Sequence, residues 1–145
     1  MASIPVKILR EGAILPTYGS PEAAGADLYA CLESEITVDP GKTAFIPTGI
    51  AMEVPKGCAG LIYARSGMAC KRDLAPANKV GVIDSDYRGE VIVALYNHGS
   101  EARTVSHGER IAQMVITPVL TPAYELAETL EDTDRGAGGF GSTGK

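Results

Sequence analysis

The sequence predicts an all-β domain folded as a sandwich or barrel, and three observations lead there. Turn signals recur at short intervals: Pro40-Gly41, Pro47-Thr48-Gly49, Pro55-Lys56-Gly57, Asn97-His98-Gly99-Ser100 and His107-Gly108. Between them lie short apolar runs rich in β-branched residues, with the length and spacing of strands. Helical periodicity is almost absent, and only Arg65 to Arg72 reads as a short helix.

In chain order, Ala24 to Ala30 is an apolar strand interrupted by one acid, Asp27. An unpaired charge there is costly, so Asp27 is expected to have a dedicated partner. Glu35–Val38, Thr43–Ile46, Gly49–Val54 and Gly60–Tyr63 follow as strands. Gly81 to Gly89 reads as a hairpin, with a polar loop between β-prone runs. Val91–Tyr96 is apolar on both faces from Val91 to Leu95, so it requires cover on both sides, by a second sheet or by another subunit. Ile111–Val119 is the last run, and Gln113 is its lone amide. From about Glu125 the composition turns acidic through Asp134 and then glycine-rich through Lys145. That tail has too little apolar content to fold on itself and reads as an arm that orders on binding. The expected organisation is a β-domain over residues 1–130 and a glycine-rich arm over 131–145.

Composition narrows the function classes. The 145 residues suit one domain, and 45% apolar content is enough for a core. No apolar run approaches the roughly 20 residues that span a bilayer. The start, MASIPVKILREG, lacks the apolar core of a secretory leader. Cys31, Cys58 and Cys70 are odd in number and lack CxxC spacing, and only His98 and His107 accompany them, so reduced thiols are expected in place of disulfides or zinc. The net charge of −5 speaks against a nucleic-acid backbone as partner. It leaves room for a small anion that brings its own metal.

Five segments carry chemistry. In the tail, Gly136-x-Gly138-x-x-Gly141 and Gly139-x-x-x-x-Gly144-Lys145 imitate phosphate-binding fingerprints. Those fingerprints need a preceding strand and a following helix, which this chain end does not offer. The tail's glycines still let backbone N–H groups converge on phosphate oxygens. Arg135 is built to clamp a phosphate, and Phe140 to cover a flat ring. A disordered terminus is the plain alternative. In Gly81 to Gly89, Asp84 and Asp86 fail the EF-hand pattern. Turn preference alone explains Asp86 better than Asp84, which follows an apolar run. A carboxylate there is suited to accept a proton from water. In Ala64-Arg65-Ser66-Gly67-Met68, Ser66 and the following amides open the short helix, either as an anion site or as a helix cap. Asp27 and Gln113 complete the set, and core hydrogen bonding explains either one equally well.

Taken in order, AGADLYA (24–30), ARSGMA (64–69), GVIDSDYRGEV (81–91), GERIAQMVI (108–116) and RGAGGFGST (135–143) resemble the five signature motifs of the trimeric dUTPase family. The resemblance runs from residue 4 onward. It implies a jelly-roll-like β-barrel, a homotrimer with active sites shared between chains, and a cytoplasmic enzyme (or a nuclear one in a eukaryote). The implied reaction cuts dUTP to dUMP and pyrophosphate with Mg²⁺, limiting uracil in DNA and supplying dUMP for thymidylate synthesis.

The resemblance also implies residue roles. Asp84 would be the general base that activates water for attack on the α-phosphorus. Backbone groups of Gly81, Val82, Ile83 and Asp84 would read the uracil edge, with Asn78 in support. Tyr87 would stack beneath the deoxyribose and exclude a 2′-hydroxyl. Ser66, Gly67 and Gln113 would contact the phosphates, and Arg65 would orient either Asp84 or a phosphate. Asp27 would hold a magnesium-bound water. Arg135, Phe140, Gly141 and Ser142 would close as a lid, and Lys145 adds one phosphate contact or none. Two rivals stand beside this reading. One is a dCTP deaminase of the same fold, for which the third motif offers no acid beside C4 of the base. The other is a nucleotide-sensing module, disfavoured because the catalytic set is complete.

Overall fold

The computed structural model describes residues 3–141. Its elements run β1 (Val6–Ile8), β2 (Thr17–Tyr18), β3 (Ala26–Tyr29), β4 (Ile36–Val38), β5 (Thr43–Pro47), β6 (Ile50–Met52), β7 (Cys58–Tyr63), α1 (Ser66–Lys71), β8 (Leu74–Pro76), β9 (Gly81–Ile83), β10 (Ile92–Asn97), β11 (Arg103–Val105) and β12 (Arg110–Pro118). The fold is all-β and jelly-roll-like, with one short helix, as the sequence predicts. The strands form one five-stranded sheet in the order β2-β3-β12-β7-β9, a three-stranded sheet β5-β10-β8, and the pairs β1-β6 and β11-β4.

The core between these sheets is mostly branched aliphatics, with Met52, Met68 and Met114 among them. Leu28, Ile46, Ile50, Leu74, Leu95 and Ile111 are fully buried. Buried polar groups are paired, as the interior requires. Asn97 donates to the carbonyls of Val38 and Glu101 and accepts the Gly99 N–H. Thr48 donates to the Val91 carbonyl at 2.6 Å.

One expectation is revised here, and a second is met on one face only within a single chain. Gly81 to Gly89 is not half of a two-stranded hairpin. β9 pairs with β7, while β10 pairs with β5 and β8, so residues 84–91 carry the chain from one sheet to the other. The local pattern of two β-prone runs around a polar loop cannot say which partner each run chooses. β10 is also not buried on both faces within one chain. Val91, Val93 and Leu95 point inward, while Ile92 is 45% exposed, and Phe45 beside it on β5 is 71% exposed.

Among the described residues, regular structure ends at Pro118. Beyond it Leu120, Tyr124, Leu126, Leu130 and Phe140 are all exposed.

Candidate active site

The centre of the five-stranded sheet sets Asp27, Gln113 and Tyr63 side by side. Gln113 of β12 faces Asp27 on β3 and Tyr63 on β7. The chain then continues through Ala64 to Arg65 and into α1. Three segments distant in sequence therefore meet at one row. Gln113 Nε2 donates to the Ala64 carbonyl at 2.9 Å. Arg65 Nε donates to Asp27 Oδ1 at 2.7 Å. Arg110 approaches the other carboxylate oxygen at 3.5 Å. Asp27 is buried, so the partner expected for it is present, and it is two arginines.

Arg110 was missed in the sequence, and the reason is geometric. The β12–β3 register slips between Arg110 and Ala112, so Arg110 faces Tyr29, two residues from Asp27 on the same side of the strand. Strict alternation from Gln113 would send Arg110 to the opposite face. A bulge re-aims it, and nothing in the local sequence marks a bulge there. Gly25 was missed too. A Cβ at that position would sit 2.7 Å from Gln113 Oε1, so glycine lets the amide lie against the β3 backbone.

Ser66 opens α1 as its first residue. The capping position is Arg65, in extended conformation, and no side chain caps the helix. The helix-cap explanation of Ser66 is therefore removed. Ser66 and Gly67 are exposed beside the Asp27–Gln113 row. Arg65 and Gly67 line one cleft with Arg72 and Arg110. The result is a cationic cradle with amide and hydroxyl donors, suited to a phosphate chain.

The second half of the site lies elsewhere. β9 is the last strand of its sheet, so one edge is paired with β7 and the other is open. Free backbone N–H and C=O groups on an open edge are suited to reading the polar edge of a base. Asn78 and Gly81 line a cleft of about 250 Å³ beside that strand, with Ile62, Pro76 and Val93 in its wall. Val82 is exposed and Ile83 is half-buried. Asp84 follows the strand, exposed, and lines a separate cleft with Pro55, Gly57, Asp86 and Arg88. The Tyr87 N–H donates to the Asp84 carbonyl at 3.2 Å, and the Tyr87 hydroxyl to the Glu90 carbonyl at 2.9 Å.

Asp84 and the cradle stand at opposite ends of β7, although Gly81, at the start of β9, pairs with Ile62 near the cradle end. Ile83 pairs with Gly60, so Asp84 lies level with Ala59, whereas Arg65 lies beyond Tyr63. At ~3.3 Å per residue that is roughly 20 Å. Arg65 therefore does not orient the Asp84 of its own chain; within the chain its partner is Asp27. In the arm, Arg135 Nε donates to the Gly138 carbonyl at 2.9 Å, Phe140 is fully exposed, and Gly141 has a φ of +86°. Ser142 and Lys145 lie outside the described residues.

An open strand edge fit for a base and a cationic cradle fit for a phosphate chain define a nucleotide-handling β-protein. The dUTPase family profile matches residues 11–144. The chain belongs to the dUTPase family, and it is an enzyme that hydrolyses dUTP. It is 56% identical over 131 residues to a deoxyuridine 5′-triphosphate nucleotidohydrolase of Desulfitobacterium hafniense, covering 90% of this chain and 87% of that one. It is 49% identical to a protein so named from Syntrophotalea carbinolica, covering 98% and 97%. Among solved structures it is similar to the Staphylococcus bacteriophage 80alpha dUTPase with dUpNHpp, at 28% identity and a TM-score of 0.91 over the whole of both chains.

Proposed function

We propose that the active site is completed between copies of this chain: the β9 edge and Asp84 of one copy hold the nucleoside and the water, and the Asp27–Gln113 cradle of another holds the phosphates. The observation that carries this reading is the separation of roughly 20 Å along β7, set by strand rise. The α-phosphorus sits one bond from the sugar oxygen, so a single chain's Asp84 and cradle are too far apart to serve one dUTP. Exposed Phe45, Ile92 and Leu120 supply apolar surface for the contact between copies. A cyclic trimer closes such a head-to-tail arrangement.

In that site, backbone groups from Gly81 to Asp84 read the uracil edge, with Asn78 in the pocket wall. Cytosine leaves those groups mismatched and unpaired. Tyr87 packs under the deoxyribose, and a 2′-hydroxyl meets its ring. Asp84 accepts the proton of the attacking water as oxygen bonds to the α-phosphorus and pyrophosphate leaves. Ser66, Gly67 and Gln113 donate to the phosphate oxygens. Arg65 keeps its Nη fork for a phosphate while Nε stays on Asp27.

The donor set fits magnesium. Among the described residues no cluster of three or more His, Cys, Asp or Glu side chains forms a cage. The cradle offers one carboxylate, Asp27, and a magnesium ion is commonly held by one or two carboxylates, substrate phosphates and water. Asp27 would hold a water of that ion, and bound Mg²⁺ would neutralise charge on the leaving pyrophosphate. Among the described residues no helix is long and apolar enough to cross a membrane. On the family resemblance, and independently of that, we place the reaction in the cytoplasm.

The test is pyrophosphate release from dUTP against dTTP, dCTP and UTP, with and without Mg²⁺. Metal-dependent release from dUTP alone is expected. Ammonia release from dCTP would move the chain to the deaminase reading.

The arm gives a second prediction. Arg135 would bind the terminal phosphate, while Phe140, Gly141 and Ser142 would close over the base and exclude water. Removing residues 135–145 is expected to leave the thermal transition unchanged, because residues 135–141 bury nothing in the core. Binding of dUMP should change little, and turnover should fall by about two orders of magnitude, the scale of lost alignment. Full turnover in the truncated chain would show that the arm has no part in catalysis.

A further inference from the structure

Tyr87 can exclude a 2′-hydroxyl only if its ring is held in place, and it projects from a loop that crosses between two sheets. The structure shows two restraints on it. The Tyr87 hydroxyl donates to the carbonyl of Glu90. The ring lies across the backbone of Gly89: a Cβ built there would collide with the hydroxyl and lie 2.5 Å from Cζ and 2.9 Å from Cε2. Gly89 is not among the glycines with positive φ, so the obstacle to a side chain is space and not backbone conformation.

The Glu90 carbonyl is in turn fixed by its own side chain. Glu90 Oε1 accepts from Arg10 Nε at 2.8 Å and from the Gly49 N–H at 2.9 Å, and Oε2 accepts from Arg10 Nη2 at 3.0 Å. This bidentate pair joins the loop to two distant segments: the chain after β1, and the tight turn between β5 and β6, where Gly49 has a φ of +72°. The Glu90 side chain is 15% exposed, while Arg10 reaches it from the solvent side at 51% exposure. The Arg10 hydrogen bond, opposed by burial and aided by the Gly49 amide, holds the Glu90 carboxyl below its ordinary range, so it is ionised when paired.

We propose that Gly89 and Glu90, with Arg10 behind them, are positioning residues for sugar discrimination: Glu90 fixes the carbonyl that holds the Tyr87 hydroxyl, and Gly89 gives the ring its floor. None of the three needs to touch the nucleotide. The proposal rests on the reading that Tyr87 gates the sugar, and the experiment separates the two.

The experiment measures kcat/KM for dUTP and for UTP, with thermal unfolding, in the wild type and in Gly89→Ala, Glu90→Ala, Glu90→Gln, Arg10→Ala, Tyr87→Phe and Tyr87→Ala. Gly89→Ala and Glu90→Ala should lower the preference for dUTP over UTP on the order of tenfold, the scale of a displaced group in a tight pocket. Arg10→Ala should lower it by about threefold, because the Gly49 amide still holds Glu90. Glu90→Gln keeps an oxygen for Gly49 and should recover most of the preference. A general loss of structure would lower both rates and the unfolding temperature together and would leave the ratio unmoved. Folded Gly89→Ala and Glu90→Ala with the wild-type ratio, while Tyr87→Ala loses it, would overturn the positioning role alone. If Tyr87→Ala itself keeps the ratio, the sugar gate fails and the positioning role with it. If Gly89→Ala does not fold, Tyr87→Phe decides: it lacks only the hydroxyl that Glu90 holds, and a wild-type ratio there would overturn the proposal.

Discussion

Asp84→Asn should lower dUTP turnover by about two to four orders of magnitude, the usual contribution of a general base, while the fold and nucleotide affinity stay close to wild type. The side chain is exposed at the end of β9, and its loss of charge breaks no ion pair among the described residues. The turn bond from the Tyr87 N–H goes to the Asp84 backbone carbonyl, so the amide leaves the Tyr87 loop intact. Asparagine keeps the size and one oxygen, so it can still order a water, but it has no basic lone pair to take the proton. The deficit should therefore appear in kcat and not in KM. Steady-state rates, with the affinity of a non-hydrolysable dUTP analogue measured alongside, separate the two. An Asp84→Asn chain with wild-type turnover would end the assignment of Asp84 as base.

What could be read from the sequence follows a physical boundary. Strand positions were legible where turn residues bound β-branched runs, and β7, β10 and β12 lie within two residues of where the pattern puts them, whereas the short strands β1, β2, β8 and β11 lacked such runs and were not read. Pairing was not, because partner choice is settled by the whole core; the loop from Asp84 to Val91 looks like a hairpin and joins two sheets. Asp27 was legible as a charge in need of a partner, since its cost is visible in its apolar neighbours. That the partners would be Arg65 and Arg110 was not, because the first depends on the Asp27–Gln113–Tyr63 row and the second on a bulge. Gly25 and Gly89 read as ordinary strand or turn glycines; only the nearness of the Gln113 amide and of the Tyr87 ring gives them a purpose. The functional residues came through the motif resemblance. Their proposed division into two half-sites rests on the register of β7.

That division makes a prediction with a large and unusual sign: two inactive chains should restore activity when mixed. One chain carries Asp84→Asn and keeps its cradle. The other keeps Asp84 and carries Gln113→Ala with Arg65→Ala, which removes the amide and the guanidinium from the phosphate side. If Asp84 and the cradle served one site within a chain, every site in any mixture would carry one defect or the other, and the mixture would stay as inactive as its parts. If they come from different copies, a cyclic assembly of mixed chains contains junctions where an intact Asp84 meets an intact cradle. Random assortment of equal amounts puts about one quarter of the junctions in that state. Against single-variant residues of about 1% or less, the expected loss of a general base, the recovery is more than tenfold. The assay needs subunit exchange, by co-expression with two tags and selection of chains carrying both, and sedimentation to show that the assembly is intact. Cradle loss also removes the Arg65 pair from Asp27, so a Gln113→Ala single variant serves as the milder partner if the double variant does not fold. In a trimer selected for both tags one junction of the three is intact, so recovery near a third of wild-type turnover is the expected result. A doubly tagged, correctly assembled mixture that remains inactive would place both halves of the site in one chain and would require a rearrangement along β7 that brings Asp84 to its own cradle.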